Sequence, residues 1–147
     1  MSASGPEVVF YLLSAADARA RLVTACRLAE KAYDQGRRVA LRTTSPAETA
    51  ELDELLWTYA DRSFVPHVVW PAEREAAART PVVIANGAPP ETHRDVLINL
   101  GGETPAELAT YAKICEIVGT DEPSKRQART RWRAYREAGC TPESHTL

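Results

Sequence analysis

The chain has 147 residues, 44% hydrophobic and 26% charged, with a formal net charge of −2, which suits one globular domain with a real core and excludes a disordered or fibrous chain. No apolar run reaches the roughly 18 residues needed to cross a bilayer, and Met1 to Glu7 carry no basic n-region, so neither a membrane contact nor a secretory signal is expected and the compartment reads as cytoplasmic. Three widely spaced cysteines, Cys26, Cys115 and Cys140, include no CxxC pair; this excludes a disulfide framework and a thiolate zinc site, and two of them read as small core residues at helical apolar positions.

Val8 to Leu13 is a short apolar run rich in strand formers and predicts a buried first strand. From Asp17 the period becomes helical, through Leu22, Val23, Cys26, Ala29 and Tyr33, and Gly36 is the stop. Arg38 to Leu41 is a second strand. Ser45, Pro46 and Glu48 form a capping box with proline at the first helical position, predicting a helix to about Trp57. Phe64 to Val69 is extended, and Pro66 puts it at an edge or a bulge. Ala72 to Thr80, alanine-rich and charged, is a short helix or a mobile insertion. Pro81 to Ala85 and Asp95 to Leu100 are further strands, joined by the turn-rich Asn86 to Pro90. Thr104, Pro105 and Glu107 form a second capping box, which predicts a helix through Leu108, Ile114 and Ile117. A last helix follows Asp121 and ends near Gly139. Residues 141–147 read as a flexible tail. The order predicts an α/β domain over residues 1–140: an open mixed or parallel sheet with helices on both faces, layered like a Rossmann fold.

Such a sheet invites a nucleotide, but phosphate binding needs glycines where the first strand meets the first helix. Leu13 to Asp17 has none, and no GxxxxGKS/T occurs, so no nucleotide site and no cofactor are expected. His93, Arg94 and Asp95 spell the catalytic-loop triplet of protein kinases without the rest of that signature; they read as a loop entering a strand. The three histidines, His67, His93 and His145, come with no metal-ligand spacing. No GxSxG is present. No catalytic residue is nominated, and the chain reads as a non-enzyme.

Two segments stand out for recognition. Trp57 closes a helix, and Tyr59, Phe64 and Pro66 follow within ten residues; the cluster is either a satellite core or the anchor of a protein interface. Residues 124–136 hold six basic side chains and no acid, leaving 12 basic against 20 acidic residues elsewhere, so a body near −8 carries one segment of +6. Lys125, Arg129, Trp132, Arg133 and Arg136 share one helical face, with Ala128, Trp132 and Tyr135 as the neighbouring stripe that packs on the body. A cationic row beside an aromatic fits an acidic peptide with an apolar side chain. It also fits single-stranded nucleic acid bound directly by the basic C-terminal helix, and both readings stand at this point.

Several stretches carry a family resemblance: FYLL from Phe10, CRLAEKAY from Cys26, LDELLW ending at Trp57, SFVPH ending at His67, RDVLINL from Arg94, and KRQARTRWRAYREAG from Lys125 to Gly139. In this order they resemble the chi subunit of the DNA polymerase III clamp-loader complex, from about residue 9 to residue 140. The resemblance implies a mixed α/β fold without catalytic activity, and DNA contact that is mainly indirect. It implies two protein partners. The acidic C-terminal tail of single-stranded-DNA-binding protein would meet Val118, Lys125, Arg129, Trp132 and Arg133. The small psi subunit, which tethers chi to the clamp loader, would meet Trp57, Phe64, Pro66 and His67, with a helicase-like protein as competitor for that face in some relatives. The family often has an aromatic where Cys140 stands and a tyrosine at Trp132; the first difference bears on one wall of the tail pocket, and the second is conservative.

Overall fold

The computed structural model describes residues 5–15, 17–60 and 64–147. Met1 to Ser4, Ala16 of the first strand–helix junction and Ser63 of the SFVPH segment lie outside them. The elements run β1 (Glu7–Leu12), α1 (Ala18–Asp34), β2 (Val39–Arg42), α2 (Pro46–Thr58), β3 (His67–Trp70), α3 (Arg74–Ala77), β4 (Val82–Ala85), β5 (Val96–Asn99), β6 (Lys113–Val118), α4 (Glu122–Glu137) and β7 (Glu143–Thr146). The seven strands form one sheet in the order β3-β4-β2-β5-β6-β1-β7, and every pairing is parallel.

Parallel strands need crossovers, and the crossovers cover both faces. On one face α1 and α2 bury Leu22, Cys26, Leu52 and Leu56 against the odd-numbered row of β6, Cys115 and Ile117, and against Leu41 and Ile98. On the other, Ala77 of α3 and Ala128 and Tyr135 of α4 pack with Phe10, Leu97 and Ile114. The capping box at α2 forms as read: Ser45 Oγ accepts from Glu48 N at 3.1 Å, and the buried Glu48 carboxylate accepts from Thr44 N at 2.8 Å and pairs with Arg21. Pro66 precedes β3, which is an edge strand as its proline requires.

Two expectations are corrected. Thr104 to Glu107 opens no helix through Ile114 and Ile117. The segment makes only a 3-10 turn at Leu108–Thr110, and no side chain caps its start. Lys113–Val118 then enters the sheet, with six residues in register with β1. The β-branched Ile114, Ile117 and Val118 favour the pleated surface over a helix, and Glu107 sits 3.7 Å from Arg94 instead of capping. Cys115 is therefore a strand residue and not a helical one. Residues 143–146 of the segment read as a flexible tail form β7 along the free edge of β1. All four of its residues are exposed, so the strand carries no hydrophobic period by which to read it.

Candidate functional site

β1 and β6 are neighbours whose following helices, α1 and α4, leave to opposite faces of the sheet. Open parallel sheets have a crevice at such a point, at the carboxyl ends of the strands. Here it is a cavity of about 320 Å³ lined by Phe10, Leu12, Leu13, Val118, Gly119, Lys125, Ala128, Arg129, Trp132 and Ser144. Its floor comes from β1 and the end of β6, its far wall from α4, and Ser144 of β7 closes the outer side.

The turn from β6 into α4 sets the position of that wall. Asp121 is the N-cap, its carboxylate accepting from Ser124 N at 3.0 Å; hydrogen bonds from Ser124 hold its pKa below the ordinary value. Gly119 is packed against this cap: a Cβ there would lie 3.0 Å from Asp121 Oδ1 and 3.3 Å from Ser124 Oγ. The helix itself is built from Lys, Arg, Gln and Ala, all good helix formers. Its inner row is Ala128, Arg131 and Tyr135. The Phe10 ring lies 5.1 Å from the Trp132 ring and 5.9 Å from that of Tyr135, which fixes Trp132 as one side of the groove. Lys125 and Arg129 rise from the rim into solvent, and neither makes an ion pair among the described residues. An apolar trough under two free cations can take a chain with an apolar side chain and a carboxylate.

Four of the five residues expected for the tail, Val118, Lys125, Arg129 and Trp132, therefore line one groove. Arg133 is exposed one turn further along α4 and does not line it. Cys140 does not line it either. It is buried beyond the end of α4, its N–H donating to Tyr135 O at 3.0 Å, and its sulfur would meet a Cβ at Gly5 at 3.2 Å. Phe10, Leu12, Leu13 and Ser144 had not been singled out. Alternation along β1 places Phe10 and Leu12 on one face, a signal available in the sequence, whereas Ser144 belongs to a strand with no such signal.

One of the six basic residues of the segment is not on the surface at all. Arg131 is 3% exposed and pairs with the fully buried Glu116. Its Nε donates to Glu116 at 2.9 Å, and its guanidinium also donates to Gly102 O at 2.9 Å.

The second set lies at the opposite edge of the sheet. Trp57 at the end of α2 is 50% exposed and Phe64 is 61% exposed, with ring centroids 5.3 Å apart. Pro66 is half-buried beside them. His67 is buried beneath Trp57 at 4.6 Å. Its ring nitrogens face Val65 O at 2.7 Å and the Asp53 carboxylate at 2.9 Å, so it braces the pair and is not itself presented. The structure thus brings all four together, three of them accessible.

The kinase-like triplet is structural. His93 is fully buried, with Nε2 donating to Thr80 O at 2.6 Å. Burial lowers its pKa, as the neighbouring Arg38 also does. Arg94 stacks 4.7 Å from the Tyr111 ring, and Asp95 accepts from Arg38 N at 2.8 Å. Among the described residues no group of His, Cys, Asp and Glu is arranged to hold a metal, and no helix is long and apolar enough to cross a membrane.

Comparison with known proteins adds to this geometry. The family described as DNA polymerase III chi subunit, HolC, matches residues 6–143. The chain is 44% identical over 141 residues to the DNA polymerase III subunit chi of Pseudomonas aeruginosa, covering 95% of this chain and 96% of that one. To the subunit chi of Escherichia coli it is 30% identical over 128 residues, covering 78% and 77%. Among solved structures, the C-terminal domain of the DEAD-box protein Dbp5 superposes with a TM-score of 0.60 at 10% identity, over 97% of this chain and 92% of that one; that likeness is one of fold alone.

Proposed function

The chain belongs to the DNA polymerase III chi subunit family, and on that premise we propose that it is a non-catalytic accessory subunit joining the clamp loader to the acidic C-terminal tail of single-stranded-DNA-binding protein. The tail seats in the groove between β1 and α4. Arg129 pairs with its terminal carboxylate through two parallel hydrogen bonds, Trp132 and Val118 receive the last apolar side chain, and Lys125 and Arg133 attract acidic residues further up. The psi subunit docks on Trp57, Phe64 and Pro66 over His67, the face for which a helicase-like protein competes.

The observation that carries this reading is the pair of exposed cations, Lys125 and Arg129, without an ion pair among the described residues, over a trough lined by Phe10, Leu12, Val118 and Trp132. The separation of the two faces supports an adaptor: the groove lies between β6, β1 and β7, and Trp57 lies by β3, at the other end of the strand order. Anisotropy of a labelled acidic peptide with a free apolar C-terminal residue tests it. Saturable binding, lost on Arg129→Ala, is expected; binding indifferent to that change overturns it.

A further inference from the structure

Five side chains of α4 are exposed cations: Lys125, Arg126, Arg129, Arg133 and Arg136. None makes an ion pair among the described residues. Several arginines buried or half-buried against the body are by contrast engaged: Arg21 with Glu48, Arg38 and Arg42 with backbone carbonyls, Arg94 with Thr110, and Arg131 of α4 itself with Glu116. At 3.6 residues per turn the five free cations fall within about 100° of the helix circumference. Arg126, Arg129, Arg133 and Arg136, at i, i+3, i+7 and i+10, make a row about 15 Å long at 1.5 Å rise per residue.

The groove uses only part of this charge. Lys125 and Arg129 line it, whereas Arg126, Arg133 and Arg136 do not. The outward side of the row is flanked by Thr130 and Glu137, both exposed and polar. The two aromatic residues of α4, Trp132 and Tyr135, turn toward Phe10, so this side presents charged and polar groups. A surface of regularly spaced guanidinium groups without pockets recognises a continuous polyanion by its backbone charge. Outside residues 124–136 the chain carries 12 basic against 20 acidic residues, so the excess of positive charge is concentrated on this helix.

We propose that Arg126 and Arg136 form a second contact surface on α4, one that holds the phosphate backbone of single-stranded DNA beside the peptide groove. The proposal rests on the groove reading only for what Lys125, Arg129 and Arg133 do. Contact through phosphates alone is weak, independent of base sequence and steeply salt-dependent. Its effect is to place α4 along the strand on which the groove's peptide partner already sits, which multiplies two modest affinities through effective concentration.

The experiment uses the whole chain, labelled oligothymidine and, separately, the labelled acidic peptide, each titrated across a salt series. For single strands the slope of log affinity on log salt is about −0.7 per neutralised phosphate. Arg126→Gln/Arg136→Gln should therefore flatten the oligothymidine slope by about 1.4 and weaken binding at low salt several-fold. The same variant should keep the wild-type peptide affinity, while Arg129→Ala should lose mainly the peptide. No oligothymidine binding by the wild type at low salt, or an unchanged slope in the double variant, overturns the proposal. So does a double variant that loses the peptide as much as the oligonucleotide, because the row then reads peptide charge. Loss of peptide binding by the wild type with the oligonucleotide result intact would sink the groove reading and leave this one standing.

Discussion

The Tyr135 hydroxyl donates a 2.6 Å hydrogen bond to Glu116, a carboxylate with no solvent exposure in the middle of β6. Glu116 also accepts from Asn99 Nδ2 at 3.2 and 3.0 Å and from Arg131 Nε at 2.9 Å. The network ties β5, β6 and α4 at one point, and burial with Glu116 as its neighbour pushes the Tyr135 phenol well above its ordinary pKa, so it stays a donor. Through Phe10, which touches both Tyr135 and Trp132, the network sets where the groove wall stands.

Removing one partner leaves Glu116 buried and short of a donor. Tyr135→Phe should cost about 1–3 kcal/mol and Arg131→Met about 3–5 kcal/mol, the scale for a buried charge left unpaired. Arg131→Met/Glu116→Gln should recover part of the second loss, because no buried charge then remains. Urea unfolding of wild type, Arg131→Met, Glu116→Gln and the double variant checks the pairing, with Tyr135→Phe measured beside them. Additive losses would mean that the two groups do not act as a pair.

His93 gives a pH signature. Burial depresses its pKa below 6.5 in the folded state. The unfolded chain then binds more protons than the folded one below that value, so stability is full above about pH 6.5 and declines as pH falls through the lowered pKa. The slope is at most about 1.4 kcal/mol per pH unit for one group. His93→Gln should remove that share of the slope in urea midpoints taken from neutral to mildly acidic pH. An identical slope in the variant would show that other groups carry it.

Trp57 covers His67 and packs against Phe64, and neither aromatic is core. Trp57→Ala should therefore stay folded, keep the acidic-peptide affinity, and weaken psi binding by about 2 kcal/mol or more, as truncated interface anchors do. Calorimetry with purified psi reads the loss. A variant that unfolds would make Trp57 a core residue and end the claim.

What the sequence disclosed follows from where each signal is stored. β1, α1, α2 and α4 were legible because Val8 to Leu13, the Leu22–Cys26–Ala29 stripe, the Ser45 and Asp121 caps and the Ala128–Tyr135 row are local patterns of one period. β6 was misread because Thr104 to Glu107 spells a cap whose helix never forms, and the β-branched residues after it prefer the sheet, where β1 and β5 are waiting on either side. β7 was invisible because its four residues are exposed and polar, and the contacts that hold them, backbone pairing with β1 and the His145 ring stacked on Tyr11, leave no hydrophobic period in the sequence. Arg131 looked like one more cation of a basic face; only the position of Glu116, fifteen residues earlier on another element, turns it inward. The groove's cations were readable from helical spacing. Of its floor, Val118 came with the family resemblance, whereas Phe10 and Leu12 join it only once β1 pairs with β6.

The groove itself is tested most directly by a cycle that pairs Arg129 with the peptide's terminal carboxylate. Anisotropy is measured for wild type and Arg129→Ala, each with a free-acid and a C-terminally amidated acidic peptide. Arg129→Ala should weaken free-acid binding by about 1.5–3 kcal/mol, the scale of a charged hydrogen bond. Lys125→Ala, as a rim control, should cost about 0.2–1 kcal/mol and mostly at low salt. Amidation should reproduce most of the Arg129 loss in wild type and add little in the variant. Additive losses from Arg129→Ala and from amidation would contradict the account, as would equal wild-type affinity for an unrelated acidic peptide of the same charge.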